Sequence, residues 1–440
     1  MNGLIILLSK LSLKILKLKG KGSSYPGLLA LKLNKNILTY FKLPQTVIFV
    51  TGTTGKTTIS GALADVYTKN GYTVANNVRG SNLIYGVVTA LIEKAKLNGC
   101  LKADAVIIEI DERYVKNVFK YITPKYFIIN NLSRDQLARN GHFELVFDEI
   151  NNSIDPKTKL FLNADDPLTV KFSLNKQNEI IYYGVKENIF STKTNKLNTL
   201  DLAYCPNCYK KLEYSYFNYG NLGEYKCPND DYKRPNPHYE AVLTNKKQFM
   251  VNNESIIMPN DALYNVYNLL ACYALCKEDK IKDIVNPLNN PSLKMKRFTN
   301  FEAGKVKGTI LLSKNETPLS YNNSVEYIAS KKGLKTVMIG FTRISGKYDL
   351  KDLSWLYDIN FELLNNKSIE KIILVGPFAY DLAVRLKQAK IDSHKFIYCL
   401  DYNNILQCLL TNTKSYIYCM LYFDLDDLLK KQLLEKGYKL

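Results

Sequence analysis

Residues 46–58 read TVIFVTGTTGKTT, a run of β-branched and aromatic residues ending in a glycine-rich loop that carries Lys56 and Thr57. The composition of the first half predicts a buried strand, and the second half a phosphate-binding loop that opens a helix from about Thr57 to Asn70. Gly52 and Gly55 allow the backbone to curl so that successive N–H groups face phosphate oxygens, and the helix adds its positive N-terminal end. Lys56 is placed to reach the terminal phosphates, and the Thr57 hydroxyl to ligate Mg²⁺. Only Thr53 and Thr54 separate the two glycines, so the loop is tighter than the common G-x-x-x-x-G-K-[ST] spacing. The expected nucleotide cradle is Gly52, Thr53, Thr54, Gly55, Lys56, Thr57 and Thr58, and the expected ligand is ATP.

Outward from this loop, short apolar runs alternate with helical segments. Strands are predicted at Thr73–Ala75, Ala105–Ile110, Tyr126–Ile129, Lys159–Leu162 and Glu179–Tyr183, the pattern of a mostly parallel sheet wrapped by helices. Ligands in such sheets bind at the C-terminal strand ends, where polar clusters fall in this chain. Glu109 follows the apolar run AVII, on the same sheet edge as the loop, and a carboxylate there can complete a Mg²⁺ site begun by Thr57. Asp111 and Glu112 are further candidates. A second strand–helix series begins near Lys305, with strands near Gly308–Leu312, Lys335–Ile339, Lys371–Val375 and Lys395–Cys399.

The 440 residues suffice for two or three domains. A formal charge of +19 favours anionic partners, but the basic residues are dispersed and no nucleic-acid-binding motif accompanies them, so no nucleic-acid partner is expected. The segment LIILLSKLSLKILKLKGK is too interrupted by lysine to span a bilayer. It reads as a basic amphipathic helix, with its Leu/Ile stripe expected to pack on the protein body rather than to lie on a membrane. The nine cysteines are mostly single residues in apolar runs, and no signal peptide is evident, which points to the cytoplasm.

From Tyr204 to Pro237 the pattern changes to YCPNCYKKLEYSYFNYGNLGEYKCPNDDYKRPNP. Cys205-Pro-Asn-Cys208 and Cys227-Pro-Asn-Asp230 are two knuckles separated by eighteen residues, the spacing of a zinc ribbon with Asp230 where a fourth Cys would stand. A Cys₃Asp zinc site and a metal-free ribbon held by tyrosine packing both remain open on spacing alone. The domain organisation expected is an N-terminal helical segment over 1–45, a central ATP-binding domain over 46–294 with the ribbon inserted at 203–238, and a C-terminal domain over 295–440.

Taken together, GKGSSYPGLLAL (20–31), GTTGKTT, RGSNLIYG (79–86), IEIDE (108–112), NLSRDQL (131–137), LNADDP (162–167), the ribbon, DLSWLYDINFE (352–362) and AYDLAVRLKQA (379–389) resemble the Mur ligases, and within them the MurT family. The resemblance runs over almost the whole chain. It implies an α/β fold with a Mur-ligase-like P-loop domain, a zinc-ribbon-like insert and a C-terminal Rossmann-like domain. YNVYNLLA (264–271) matches the Mur segment that cradles adenine, pointing to Asn268 and also Asn265. The family activity implied is ATP-dependent amidation of the D-glutamate α-carboxylate in the lipid II stem peptide, through an acyl phosphate, at the inner face of the membrane. Ammonia would come from a GatD-like class I glutaminase partner, whose Cys–His pair Asp352 would complete; Asp349 and Asp358 are weaker matches, and an N-cap role for Asp352 stays open. The chain departs from the family pattern at Ala138, Asp230, Lys294, Lys314-Asn315-Glu316 and in its tail. Competing readings are a standalone Mur- or folylpolyglutamate-synthase-like amino-acid ligase, and a non-catalytic nucleotide-binding scaffold for a glutaminase.

Overall fold

The computed structural model describes residues 1–18, 24–77, 81–134, 142–195, 200–292, 298–313, 317–343 and 352–440. The chain divides into two units, the first formed by Met1–Ser133, Phe143–Asn195 and Leu200–Lys294, and the second built mainly from Met295–Leu440. Arg79, Ala138, Lys294, Lys314-Asn315-Glu316 and Asp349 lie outside the described residues.

In the first unit, strands β1 (Thr46–Thr51), β2 (Val74–Asn76), β3 (Ala105–Glu109), β4 (Tyr126–Ile129), β5 (Lys159–Asn163) and β6 (Ile180–Val185) form a parallel sheet. The expected strands recur with ends shifted by one or two residues. After β6 come the hairpin β7 (Glu213–Tyr219) and β8 (Leu222–Lys226), which stands apart as its own two-stranded sheet. Strands β9 (Tyr239–Asn245), β10 (Gln248–Val251) and β11 (Glu254–Ile257) then extend the main sheet to nine strands in the order β11-β10-β9-β6-β5-β4-β1-β3-β2. β1 lies between β3 and β4, and Val47, Ile48, Phe49 and Val50 are buried, because helices cover both faces of a parallel sheet. The N-terminal helices Asn2–Leu18 and Tyr25–Leu33 belong to this unit; the N–H of Gly27 donates to Thr89 Oγ1 on helix Ile84–Lys94 at 2.9 Å.

The second unit holds β12 (Phe298–Ala303), β13 (Val306–Leu312), β14 (Lys335–Gly340), β15 (Ile369–Val375), β16 (Phe396–Cys399) and β17 (Tyr416–Leu421). Their order is β12-β13-β17-β14-β15-β16, parallel except for the β12–β13 pair. The sequence reading passed over β17 in the tail YIYCMLYFDLDDLL, yet it is the strand that joins β13 to β14.

Candidate active site

β1, β3 and β4 all end on the same sheet edge, so Thr51, Glu109 and Asn130 emerge side by side. After Thr51 the chain turns through Gly52 (φ 135°) and Gly55 (φ 87°) into helix Lys56–Lys69. Both dihedrals favour glycine, and at Gly55 a Cβ would also crowd Asn268 Oδ1 and stand 2.6 Å from Asn130 Nδ2, so those side-chain amides would have to move.

The loop is clamped from behind by the end of β4. Thr53 N–H donates to Asn131 O (3.0 Å) and Thr54 N–H to Asn131 Oδ1 (2.9 Å), while Asn130 and Asn131 each donate a side-chain N–H to Thr54 O at 3.1 Å. Ser133 N–H closes the clamp on Thr53 Oγ1 at 3.0 Å. The N–H groups of Thr53 and Thr54, expected to face phosphate, are therefore directed at Asn131. The first turn of the helix, from Lys56, supplies the backbone donors that no intrahelical carbonyl uses. Thr57 is exposed and Thr58 half-buried on that turn.

Asn268 and Asn265 both lie on helix Tyr264–Glu278 and are buried, but they serve differently. Asn268 Oδ1 accepts from Asn130 Nδ2 at 3.1 Å, in contact with the loop, and Tyr183 OH donates to Asn130 Oδ1 at 2.9 Å. Asn265 instead donates to Asn260 Oδ1 at 2.7 Å. Asn130 and Asn131 were missed as site residues; the signal that could have found them is a polar Asn-Asn pair directly after the buried run YFII.

Lys56 Nζ lies 2.9 Å from Glu112 Oε2 and 3.4 Å from Thr53 O, and also donates to Gly52 O. The ion pair is buried on both sides. Burial pulls the Lys56 pKa down, but the carboxylates of Glu112, Glu109 and Asp111 outweigh it and hold the ammonium above the ordinary lysine value. Lys56 thus remains charged in an almost dry site, and its direct partner is Glu112 rather than Glu109. Asp111 caps the short helical turn that carries Glu112, accepting from Arg113 Nε and Nη2 at 2.9 Å each. Burial raises the Asp111 pKa, yet the Arg113 bonds and the Lys56 charge prevail and hold it below the usual carboxylate value.

Glu109 is the last residue of β3. Its backbone is pinned by both amide atoms of Asn77, at 2.9 and 2.8 Å, and its Oε1 accepts from Asn82 Nδ2 at 3.3 Å. Glu109 is thus a buried carboxylate at the end of β3, and Thr57 is exposed on the first turn of the loop helix.

In the insert, the ligand atoms of Cys205, Cys208, Cys227 and Asp230 lie within 4.8 Å of one another. The two knuckles are built alike. Asn207 N–H points at Cys205 Sγ and Asn229 N–H at Cys227 Sγ, both at 3.4 Å, and each knuckle closes on a β-bridge, Tyr204–Lys211 and Lys226–Lys233. Asp230 Oδ1 accepts from Tyr232 N–H at 2.8 Å, which turns Oδ2 toward Cys205 Sγ at 3.1 Å. Tyrosine packing is present as well: Tyr225 and Tyr232 are buried beside Cys205 and Cys227. The insert is tied to the sheet by Arg234, whose Nε donates to the fully buried Asp165 at 2.8 Å, with Tyr267 OH on the same carboxylate at 2.7 Å. Burial raises the Asp165 pKa against the pull of Arg234, and burial pushes neighbouring Asp166 up to about 7.

In the second unit, Asp352 is exposed and its Oδ1 accepts Ser354 N–H at 2.8 Å, at the entry of the 3₁₀ turn Ser354–Asp358. This is an Asx-turn bond from the residue before the N-cap position, which Leu353 occupies without a side-chain cap bond. It engages one carboxylate oxygen and leaves the side chain at the surface.

Residues 50–276 match the Mur ligase middle domain, and residues 312–423 the MurT ligase C-terminal domain. The lipid II isoglutaminyl synthase (glutamine-hydrolyzing) subunit MurT of Staphylococcus aureus (strain COL) is 32% identical over 395 residues, covering 88% of this chain and 87% of that protein. The protein of the same name from Streptococcus pneumoniae (strain ATCC BAA-255 / R6) is 28% identical over 389 residues, covering 85% and 83%. Among solved structures, a pseudomurein peptide ligase type C from Methanothermus fervidus superposes with a TM-score of 0.70 at 21% identity, over 91% of this chain and 81% of that one. MurF from Acinetobacter baumannii gives 0.64 at 16% identity, over 92% and 80%. At these identities the structural likeness concerns the fold.

Proposed function

Because this chain belongs to the Mur ligase family, and within it to the MurT branch, we propose that it is the ATP-using subunit of a lipid II isoglutaminyl synthase. It amidates the D-glutamate α-carboxylate of the lipid II stem peptide to D-isoglutamine. The observation that carries the reading is the buried, charged Lys56 at the head of the loop helix, held by Glu112 and bordered by Glu109.

A carboxylate is a poor electrophile with a poor leaving group, so it must be activated before an amine can replace its oxygen. In the proposed reaction the α-carboxylate oxygen attacks the γ-phosphorus of ATP, ADP leaves, and ammonia then displaces phosphate from the acyl phosphate. Lys56 donates to the transferring phosphoryl oxygens, and Glu112 keeps that ammonium charged and aimed. The first-turn N–H groups of the helix bind the phosphates, and Asn268 and Asn130 hold the loop in shape. Thr57 and Glu109 are the residues that would hold Mg²⁺. When bound, the ion neutralises charge on the phosphoryl group in transfer.

Ammonia comes from a glutaminase subunit of the GatD class, and exposed Asp352 is the residue assigned to that partner's Cys–His pair. Zinc is assigned to the ribbon. Tetrahedral zinc with sulfur ligands at about 2.3 Å would set the sulfurs about 3.7 Å apart, and the Cys208–Cys227 separation of 3.3 Å is close to that. The subunit acts at the inner face of the membrane, where the substrate headgroup is presented. None of the helices among the described residues is long and apolar enough to cross a membrane.

The test is ADP release by the purified chain with lipid II, ATP, Mg²⁺ and ammonium. It should require lipid II and vanish in Lys56→Ala. Amide formation that survives Lys56→Ala would leave the chain a nucleotide-binding scaffold.

A further inference from the structure

The first helix, Asn2–Leu18, packs on its unit by one face only. Ile5, Ile6, Ser9 and Leu13 are buried, and Asn2 Oδ1 accepts from Asn34 Nδ2 at 2.9 Å. The sequence reading expected the whole Leu/Ile stripe to pack inward. The opposite face is instead also apolar and exposed: Leu4 (60%), Leu8 (43%), Leu11 (50%) and Ile15 (57%) fall at i, i+4, i+7 and i+11, one line along the helix, with Leu7 beside them.

Cations border this line. At about 100° per residue, Lys10 and Lys14 follow Leu7 around the helix on one flank. Burial and then repulsion from Lys102 hold Lys10 below the ordinary lysine value, so a further positive charge lies near it. Lys17, next on the flank, is engaged by Glu93 at 2.6 Å. A surface helix that turns aliphatic side chains to solvent in one row, edged by lysine, has the composition of an interfacial membrane helix.

We propose that this face seats the protein on an anionic bilayer, its leucines entering the acyl boundary while Lys10 and Lys14 meet lipid phosphates. A protein partner fits the chemistry less well. Interface cores are rich in aromatic residues, methionine and arginine and poor in lysine, whereas this row is wholly aliphatic and edged by lysine. A second copy of the chain fits poorly too, because each copy brings a formal charge of +19. That same charge attracts the chain to an acidic surface, and the attraction weakens as salt rises. The purpose of the face, to hold the loop near a lipid-borne substrate, rests on the function proposed above. Its binding needs neither ATP nor substrate, so the two ideas fail separately.

The experiment is sedimentation of the full chain with vesicles of phosphatidylglycerol and phosphatidylcholine, compared with pure phosphatidylcholine vesicles, without nucleotide. The anionic vesicles should bind at least tenfold more protein, and raised salt should reduce the difference. Leu8→Glu/Leu11→Glu/Ile15→Glu should lose at least tenfold of that binding. These positions are exposed, so circular dichroism and thermal unfolding should match the parent chain. Lys10→Gln/Lys14→Gln, which removes no apolar surface, should weaken binding to anionic vesicles only. Equal binding by parent and triple variant, or no binding by the parent, would overturn the proposal. So would light scattering in which the parent is a dimer and the triple variant a monomer, since the face would then join two copies.

Discussion

The nucleotide loop and the cysteine knuckles are both short motifs of small residues with fixed spacing, yet different physics holds them. The loop sits at the end of a buried parallel strand, and residues far along the chain lock it: Asn131 on its backbone, Asn268 against Gly55, Glu112 on Lys56. The knuckles rest on a two-stranded hairpin with a small tyrosine core, and their four ligand groups face one another across a few ångströms. The loop is therefore shaped by the fold itself, whereas under the zinc assignment proposed above the ribbon gains most from a cross-link at its centre. Substitution in the loop should lower the kcat of the folded protein, whereas substitution in the insert should lower stability and leave that kcat unchanged.

The largest effect expected is on the loop side. Lys56→Ala should lower kcat by about 10³-fold or more, since it removes a charged donor to the phosphoryl group; it also leaves Glu112 buried without its cation, which should cost about 3 kcal/mol of stability, so kcat is read on the folded fraction. On the insert side, Arg234→Met leaves the buried Asp165 carboxylate without its cation. That should cost about 3 kcal/mol or more of stability, read by urea denaturation, with residual activity in the surviving folded fraction. Glu112→Gln keeps a hydrogen-bond acceptor for Lys56 but removes the charge, and should lower kcat by about 10- to 100-fold. The smallest change sharpens the comparison. Asp230→Cys should tighten zinc retention against a chelator by about tenfold, a gain of roughly 1.4 kcal/mol, without raising kcat. A gain in kcat would mean that the ribbon acts in the chemistry and not only in the scaffold.

What was legible in the sequence divides along the same line. Buried runs such as VIFV and YFII predicted their strands because a parallel sheet covered on both faces demands continuous apolar residues, and the loop and both knuckles were readable from local spacing. Asn268 was singled out through the resemblance of YNVYNLLA, but that it and Asn131 restrain the loop was not readable, because both come from elements remote in sequence. Glu112 was visible only as one of three neighbouring carboxylates; the helical turn capped by Asp111 is what brings it, rather than Glu109, onto Lys56. β17 was passed over although YIYCML is as apolar as the strands that were found. Its place between β13 and β14 depends on pairing with strands more than seventy residues earlier, which no local pattern encodes.

The most direct measurement is the mass of the lipid II stem peptide after incubation with this chain, a GatD-class glutaminase, glutamine, ATP and Mg²⁺. The account predicts a loss of about one dalton at D-glutamate, the change of a carboxylate into an amide through an activated acyl intermediate, with ADP formed in step. An unchanged mass while both subunits and nucleotide are bound would contradict it.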